Sequence, residues 1–217
     1  MPSAGDEGNQ DLVAALLGLA FATSVWPWVF RARRPNFWIR MPLVSGALGL
    51  HALQRRPEML AERPAWKDVA AGVGSAAGLY AIFQIGDRLA RQIMPAGGQD
   101  IEETYALRTL APRPAIAALL IGVIAPSEEL FWRGLLQRAL IGRFGRVKGT
   151  ALAAAAYGGV HLGSGNLTLT GAATVAGAYW GSEYSLDGRM IPLLLSHILW
   201  DVWIFLLQPT PGGKRSR

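Results

Sequence analysis

Long apolar segments are the feature of this sequence that most restricts its fold. The first covers residues 12–30, and its about 19 residues are enough for a helix to cross the hydrocarbon core of a bilayer. Only helices and closed barrels span lipid, and no alternating segments of about ten residues indicate a barrel. We therefore predict an all-α polytopic membrane bundle with six to seven transmembrane helices. The apolar segments that support it lie at 12–30, 37–53, 69–85, 115–140, 150–162, 167–181 and 190–207.

Composition agrees with a membrane location. Hydrophobic residues make up 51% of the chain and charged residues 17%, whereas soluble domains contain about 25% charged residues. The net charge of +6 does not indicate nucleic-acid binding, because the arginines cluster at the ends of apolar segments, where they anchor spans in lipid. The Ala-, Gly- and Arg-rich composition is typical of bacterial membrane proteins. We expect a multi-pass protein of the cell (inner) membrane that contacts the lipid bilayer and no nucleic acid.

Two short regions and one missing residue type limit the interpretation further. Segment 37–53 is the weakest span, with Arg40 and His51 at its edges, and it either crosses obliquely or lies in the interface. Residues 1–11 contain no Lys or Arg, so the first span is expected to be retained rather than cleaved as a signal peptide. The absence of cysteine excludes a thiol nucleophile, disulfides and thiolate metal ligands.

Two adjacent glutamates, Glu128 and Glu129, stand between apolar stretches, where carboxylates are costly and usually functional. Pro126 is expected to break or kink the helix, and Ser127 to cap a new helix whose dipole favours negative charge in its first turn. Arg133 follows Glu129 by four residues, which is the favourable order for an ion pair on one helix face. Glu128 is rotated by about 100° from Glu129, so it lacks this partner.

Three further polar residues interrupt later apolar helices. His161 ends one such segment, and His197 and Asp201 lie four residues apart, on one face of the last span. Gly158 and Gly159 precede His161 and are expected to allow close approach of another helix or of a substrate backbone. Glutamate and histidine side chains converging from three helices suit proton transfer to and from water. We predict that Glu128, Glu129, His161, His197 and Asp201 share one cavity, within about 4–8 Å of one another.

The ordered pattern resembles a known family. Glu128-Glu129-x-x-x-Arg133, then Tyr157-x-x-x-His161, then His197-x-x-x-Asp201 is similar to the motif set of the CPBP intramembrane proteases, which include CAAX prenyl endopeptidases. The resemblance covers about residues 115–205. It implies an endopeptidase that hydrolyses a peptide bond near the C-terminus of a membrane-associated substrate.

The resemblance also implies roles for these residues. Glu128 and His161 would activate water, His197 and Asp201 would stabilise the oxyanion, and Glu129 with Arg133 would brace the site. Tyr157, which stands where the family usually has Phe, would support the site structurally together with Arg133. Asp201 stands where the CAAX enzymes have Asn, and because an ionised Asp cannot donate a hydrogen bond, it must either be protonated or orient His197.

At 217 residues the chain has the length of one domain, and we expect a single membrane domain, 1–217. Within it we predict N-terminal helices at 12–113, a catalytic core at 114–207 and a disordered basic tail at 208–217. The substrate is expected to be tethered to the membrane.

Alternatives concern the cofactor and the function. We expect no obligatory cofactor, because the Glu and His roles suffice, but zinc is the alternative, held by Glu128, His161, His197 and Asp201. No His-Glu-x-x-His box is present, and Leu162-Gly163-Ser164-Gly165 does not match a rhomboid serine motif in its frame. The alternative functions are a non-catalytic membrane scaffold or immunity-type protein of the same fold and, with less support, a proton-coupled transporter.

Overall fold

A computed structural model describes residues 4–31, 36–93 and 97–207, with the side chains of residues 4, 5 and 31 excepted. These ranges contain eight helices and no strand. We number them α1 Ala4–Arg31, α2 Phe37–Arg55, α3 Trp66–Ile93, α4 Gly97–Ala106, α5 Arg113–Phe144, α6 Arg146–Val160, α7 Leu167–Asp187 and α8 Ile191–Leu207. Short 3₁₀ turns occur at Pro57–Ala61, Leu107–Thr109 and His161–Ser164.

The predicted all-α membrane bundle is confirmed. Three helical stretches are long and apolar enough to cross a membrane, at Asp6–Phe30 in α1, Trp66–Ile93 in α3 and Arg113–Phe144 in α5, and Ile191–Leu207 is a shorter apolar helix. The total of six to seven crossings stays a prediction. The predicted disordered tail at 208–217 lies outside the described residues.

Segment 37–53, the weakest predicted span, belongs to α2, which buries residues such as Trp38, Val44 and Leu48 in the core. Its oblique crossing or interfacial position stays a prediction. The polar stretch after α3 contains helix α4. Its polar face is held by the start of α7, where Thr168 Oγ1 donates to Asp100 Oδ2 at 2.9 Å, and this pairing makes a short polar helix stable.

Helix α5 runs through Pro126 without a break, so the predicted new helix start at Ser127 is wrong. The backbone is π-helical at Leu120–Ile124 and again at Leu130–Gln137, with an α-helical turn between them. A π turn accommodates an extra residue and the missing N–H of proline, so the chain need not bend sharply. Ser127 instead faces α2, where a Cβ added to Gly49 would lie 2.7 Å from the Ser127 Cβ. Both glutamates therefore sit inside a continuous helix, and the expected favourable helix N-terminus is absent there.

The core has two parts. The larger one joins α1, α2, α5 and α6 around large side chains such as Trp26, Phe131 and Trp132. The smaller one joins α3, α7 and α8 around Leu79, Trp180 and Leu193. Helix α5 contacts both groups of helices, so its polar residues lie at their junction.

A buried ion pair holds the start of α8. Arg189, in the turn before α8, donates from Nη2 to Asp68 Oδ2 at 2.6 Å, and Asp68 is 1% exposed at the start of α3. This carboxylate raises the pKa of Arg189, which therefore stays protonated. The pair therefore fixes the N-terminal end of α8 against the start of α3.

The paired glycines of the sequence do not all serve helix packing. A Cβ at Gly158 would overlap Thr174 of α7, including its Cα at 2.9 Å, whereas Gly159 has nothing within 4 Å of that position. Gly74 likewise has open space around it. The expected close approach of another helix is thus confirmed at Gly158, whereas a Cβ at Gly159 or Gly74 would contact no other helix.

These neighbouring glycines provide a matched test of the α6–α7 contact. Gly158→Ala should destabilise the protein by about 1–3 kcal/mol, because the backbone of α7 cannot yield to the added methyl group. Gly159→Ala should be neutral or stabilising by about 0.5–1 kcal/mol, because it adds helix propensity in open space. Thermal unfolding in detergent measures both. Equal melting temperatures for the two variants would contradict this packing.

Candidate active site

Glu129 of α5 is the most enclosed acidic residue of the bundle, with 0% exposure. Its Oε1 accepts hydrogen bonds from Arg133 Nη1 at 3.0 Å and from His197 Nδ1 at 2.7 Å. The predicted ion pair with Arg133 is therefore confirmed. The bond from His197 was not foreseen, and it joins α5 directly to α8.

His197 sits between two carboxylates. Its Nδ1 faces Glu129, and its Nε2 lies 3.7 Å from Asp201 Oδ2, which is an ion-pair distance but too long for a hydrogen bond. The ring stacks on the indole of Trp180 with centroids 4.1 Å apart, and Trp180 Nε1 donates to Ser196 Oγ at 2.9 Å. The predicted shared face of His197 and Asp201 is confirmed, and the imidazole plane is held on its flat side as well.

Glu128 belongs to a different hydrogen-bonded group. It is 4% exposed and accepts a hydrogen bond at Oε2 from the Tyr157 hydroxyl of α6, at 2.8 Å. Arg133 makes its ion pair with Glu129 instead, as the helix geometry predicts. The sequence predicts a supporting role for Tyr157 but not this bond.

His161, directly after α6, is also held by Tyr157. Its Nδ1 lies 2.8 Å from the Tyr157 backbone carbonyl, and since a carbonyl only accepts, Nδ1 must carry a hydrogen. In the neutral ring Nε2 is then the acceptor. The arrangement therefore offers a basic nitrogen at Nε2 of His161.

The five predicted site residues thus form two groups that meet at Arg133. One contains Glu129, His197 and Asp201, and the other contains Glu128 and His161, both bonded to Tyr157. The Arg133 guanidinium carbon lies 4.9 Å from the centroid of the Tyr157 ring, which links the groups. Whether all five act on one reacting bond stays a prediction.

Tryptophans from outside the motif complete the surroundings. Trp26 of α1 is 0% exposed, and its ring lies edge-on to His161 with centroids 5.4 Å apart. Trp28, two positions later in the same helix, is 48% exposed. No local pattern distinguishes these two tryptophans, because the difference arises from which face of α1 meets α5 and α6.

A large apolar cavity of about 470 Å³ opens beside Asp201. Helices α3, α4, α7 and α8 line it, and its wall includes Phe83, Tyr105, Leu169 and Ile204. Asp201 is the acidic residue of the predicted site that this wall contains. The cavity can therefore receive an apolar group whose polar end approaches His197.

The alternative zinc set does not fit this arrangement. In the described ranges, no three His, Cys, Asp or Glu side chains are grouped so that they can hold a metal ion. The two imidazoles also belong to different hydrogen-bonded groups, because His161 Nδ1 bonds to the Tyr157 carbonyl and His197 Nδ1 to Glu129, and these bonds leave Nε2 of each ring unengaged. The expectation that no cofactor is obligatory stays a prediction.

An all-α membrane bundle with carboxylates and histidines in its interior defines a helical membrane protein with an internal polar site. Residues 111–203 match the family model described as type II CAAX prenyl endopeptidase Rce1-like. This match, over somewhat less than half of the chain, confirms the resemblance that the motif set indicates. It supports an enzyme of the CAAX protease type at the level of the family. Neither the curated proteins nor the solved structures include a match to this chain.

Removing one side of the Glu129–Arg133 pair should lower the free energy of unfolding. Glu129→Gln and Arg133→Gln should each cost about 3–5 kcal/mol, because each leaves a charge buried without its partner. The double variant should recover part of that loss. Thermal unfolding in detergent measures these effects, with Glu102→Gln as the control, because the Glu102 side chain is 46% exposed and its 3.8 Å ion pair with Arg91 is worth about 0–1 kcal/mol.

A larger loss of stability in the control than in Glu129→Gln would contradict the bracing role of the buried pair.

Proposed function

We propose that this protein is an intramembrane endopeptidase that cleaves a peptide bond near the C-terminus of a membrane-tethered substrate. The observation that carries the proposal is Glu128, a carboxylate 4% exposed inside the bundle that accepts its hydrogen bond from the Tyr157 phenol, whereas Glu129 accepts from the Arg133 cation. A carboxylate in such a site is a stronger base than one neutralised by arginine. Glu129, next to it, is neutralised by Arg133, so the two acids have different tasks.

In the proposed reaction Glu128 takes a proton from water, with His161 Nε2 as the second acceptor for that water. The hydroxide oxygen bonds to the carbonyl carbon, and the carbonyl π electrons move to oxygen. His197, protonated at Nε2, donates to this oxyanion. When the carbon–nitrogen bond breaks, the proton from Glu128 goes to the leaving amine, which restores the carboxylate.

Asp201 then acts through His197. Ionised, it stabilises the proton on His197 Nε2 from 3.7 Å and cannot itself donate to the oxyanion. Glu129 holds the opposite nitrogen of the same ring at 2.7 Å. An ionised aspartate at position 201 is therefore compatible with oxyanion stabilisation, because His197 is the hydrogen-bond donor.

The substrate in this proposal is anchored by an apolar group. The cavity beside Asp201 is lined mainly by apolar side chains, and its volume of about 470 Å³ suits a hydrocarbon chain or several side chains of a transmembrane segment. A substrate lying there would present its C-terminal peptide bonds toward His197. Both prenylated tails and unmodified hydrophobic tails meet this requirement.

Cleavage assays in proteoliposomes test the proposal. We would offer a farnesylated CAAX peptide, the same peptide without the lipid, and a peptide with a hydrophobic C-terminal helix, and locate the cut by mass spectrometry. Glu128→Gln should lower cleavage by at least about 10²-fold without lowering the melting temperature, because it removes the base and keeps the shape. Glu102→Gln, on the exposed part of α4, is the control and should retain activity.

Retained cleavage in Glu128→Gln would refute the assignment of the base. Proton flux through the same liposomes without cleavage of any peptide would favour the transporter, and inactivity in both assays would favour the scaffold.

Chelation is a separate test of the cofactor prediction. Purified active protein should retain its cleavage rate after exhaustive treatment with a chelator, since water activation is assigned to Glu128 rather than to a Lewis acid. Elemental analysis accompanies the assay. Stoichiometric zinc that is lost and regained together with activity would overturn the prediction.

A further inference from the structure

Tyr157 is bonded to both members of the proposed base pair through two different atoms. Its hydroxyl donates to Glu128 Oε2 at 2.8 Å, and its backbone carbonyl accepts from His161 Nδ1 at 2.8 Å. One residue of α6 thus controls the carboxylate of α5 and the imidazole that follows α6. Neither bond is required by helix formation, because both involve side chains.

The Tyr157 ring has little freedom to move. It is 6% exposed, and the Trp132 ring stands edge-on to it with centroids 5.1 Å apart, while the Arg133 guanidinium carbon lies 4.9 Å from its centroid. On the side of α7, a Cβ added to Gly177 would lie 3.0 Å from Tyr157 Cδ1. The packed ring therefore holds the hydroxyl in a fixed position against Glu128.

We propose that Tyr157 is a positioning residue that selects the orientation of the Glu128 carboxylate and the tautomer of His161. With Oε2 engaged by the phenol, Oε1 is the oxygen that takes the proton from water. With Nδ1 engaged by the Tyr157 carbonyl, Nε2 is the accepting nitrogen of His161. This inference rests on the proposed function, in which Glu128 is the base.

The hydroxyl is the part of Tyr157 that bonds to Glu128. A phenylalanine would keep the ring contacts and the backbone bond to His161. It would leave the buried Glu128 without its donor and free to rotate. The residue at 157 is thus expected to affect catalysis through Glu128 while leaving the position of His161 unchanged.

Tyr157→Phe tests this directly, with Tyr179→Phe as the matched control. Tyr179 also donates its hydroxyl to a protein acceptor, the Ser75 carbonyl at 3.1 Å, but this bond is away from Glu128. We would measure kcat, KM and melting temperature on the best peptide from the cleavage assays. Tyr157→Phe should lower kcat about 10-fold and leave KM within about twofold, and Tyr179→Phe should change neither.

A second measurement needs no substrate. The carboxyl band of Glu128 can be identified in isotope-edited infrared spectra as the band lost in Glu128→Gln. It should shift in Tyr157→Phe and stay in place in Tyr179→Phe. A merely structural role for Tyr157 would change the melting temperature without moving this band.

The outcomes separate the two proposals. Loss of activity in Glu128→Gln with an unchanged infrared band and unchanged kcat in Tyr157→Phe overturns the role of Tyr157 alone. A raised KM with unchanged kcat also overturns it, because it places Tyr157 in substrate binding. Retained activity in Glu128→Gln refutes the base assignment, while the infrared shift still decides whether Tyr157 orients Glu128.

If Tyr157→Phe does not fold, 3,5-difluorotyrosine at position 157 replaces it. This residue keeps the shape of Tyr157 and makes the hydroxyl a stronger donor. The Glu128 band should then move, and an unchanged band would overturn the proposal.

Discussion

The buried contact of Glu129 with Arg133 and His197 is the interaction on which the arrangement of this bundle depends. A carboxylate with 0% exposure inside a membrane protein is stable only when cations neutralise it, and here one comes from its own helix and the second donor from α8. Because Arg133 lies one turn away, the pair forms within α5. The bond to His197 then fixes α8 against α5 with a single geometry.

This neutralisation explains how two adjacent glutamates can have different tasks. They differ by one position on the helix, so their side chains leave α5 about 100° apart and meet different neighbours. Glu129 meets a guanidinium and an imidazole, and Glu128 meets a phenol. The first environment removes the basic character of the carboxylate, and the second retains it. The chemistry we assign to the site therefore follows from helix geometry together with which helices pack on either side of α5.

The sequence predicts the interactions that lie within one helix. The pairs Glu129–Arg133 and His197–Asp201 follow from the period of the α-helix alone, and both are present. The sequence does not predict the unbroken helix at Pro126, because the π turns on either side accommodate proline, and a π turn has no signature in the apolar pattern. It also does not predict the Tyr157–Glu128 bond or the Trp26–His161 contact, because each joins two helices whose relative rotation depends on packing across the whole bundle.

Contacts of this last kind indicate that the site extends beyond the segment that matches the protease family. Trp26 belongs to α1, far before residue 111, where that match begins, yet its buried ring lies against His161. Its neighbour Pro27 approaches the turn after His161 so closely that a Cβ at Gly163 would lie 3.0 Å from Pro27 Cδ. The imidazole is thus supported by α6 through a hydrogen bond and by α1 through packing. Since the first support is a feature of the motif and the second is not, the N-terminal helices contribute to the rigidity of the site even though the motif residues come only from α5, the α6 segment and α8.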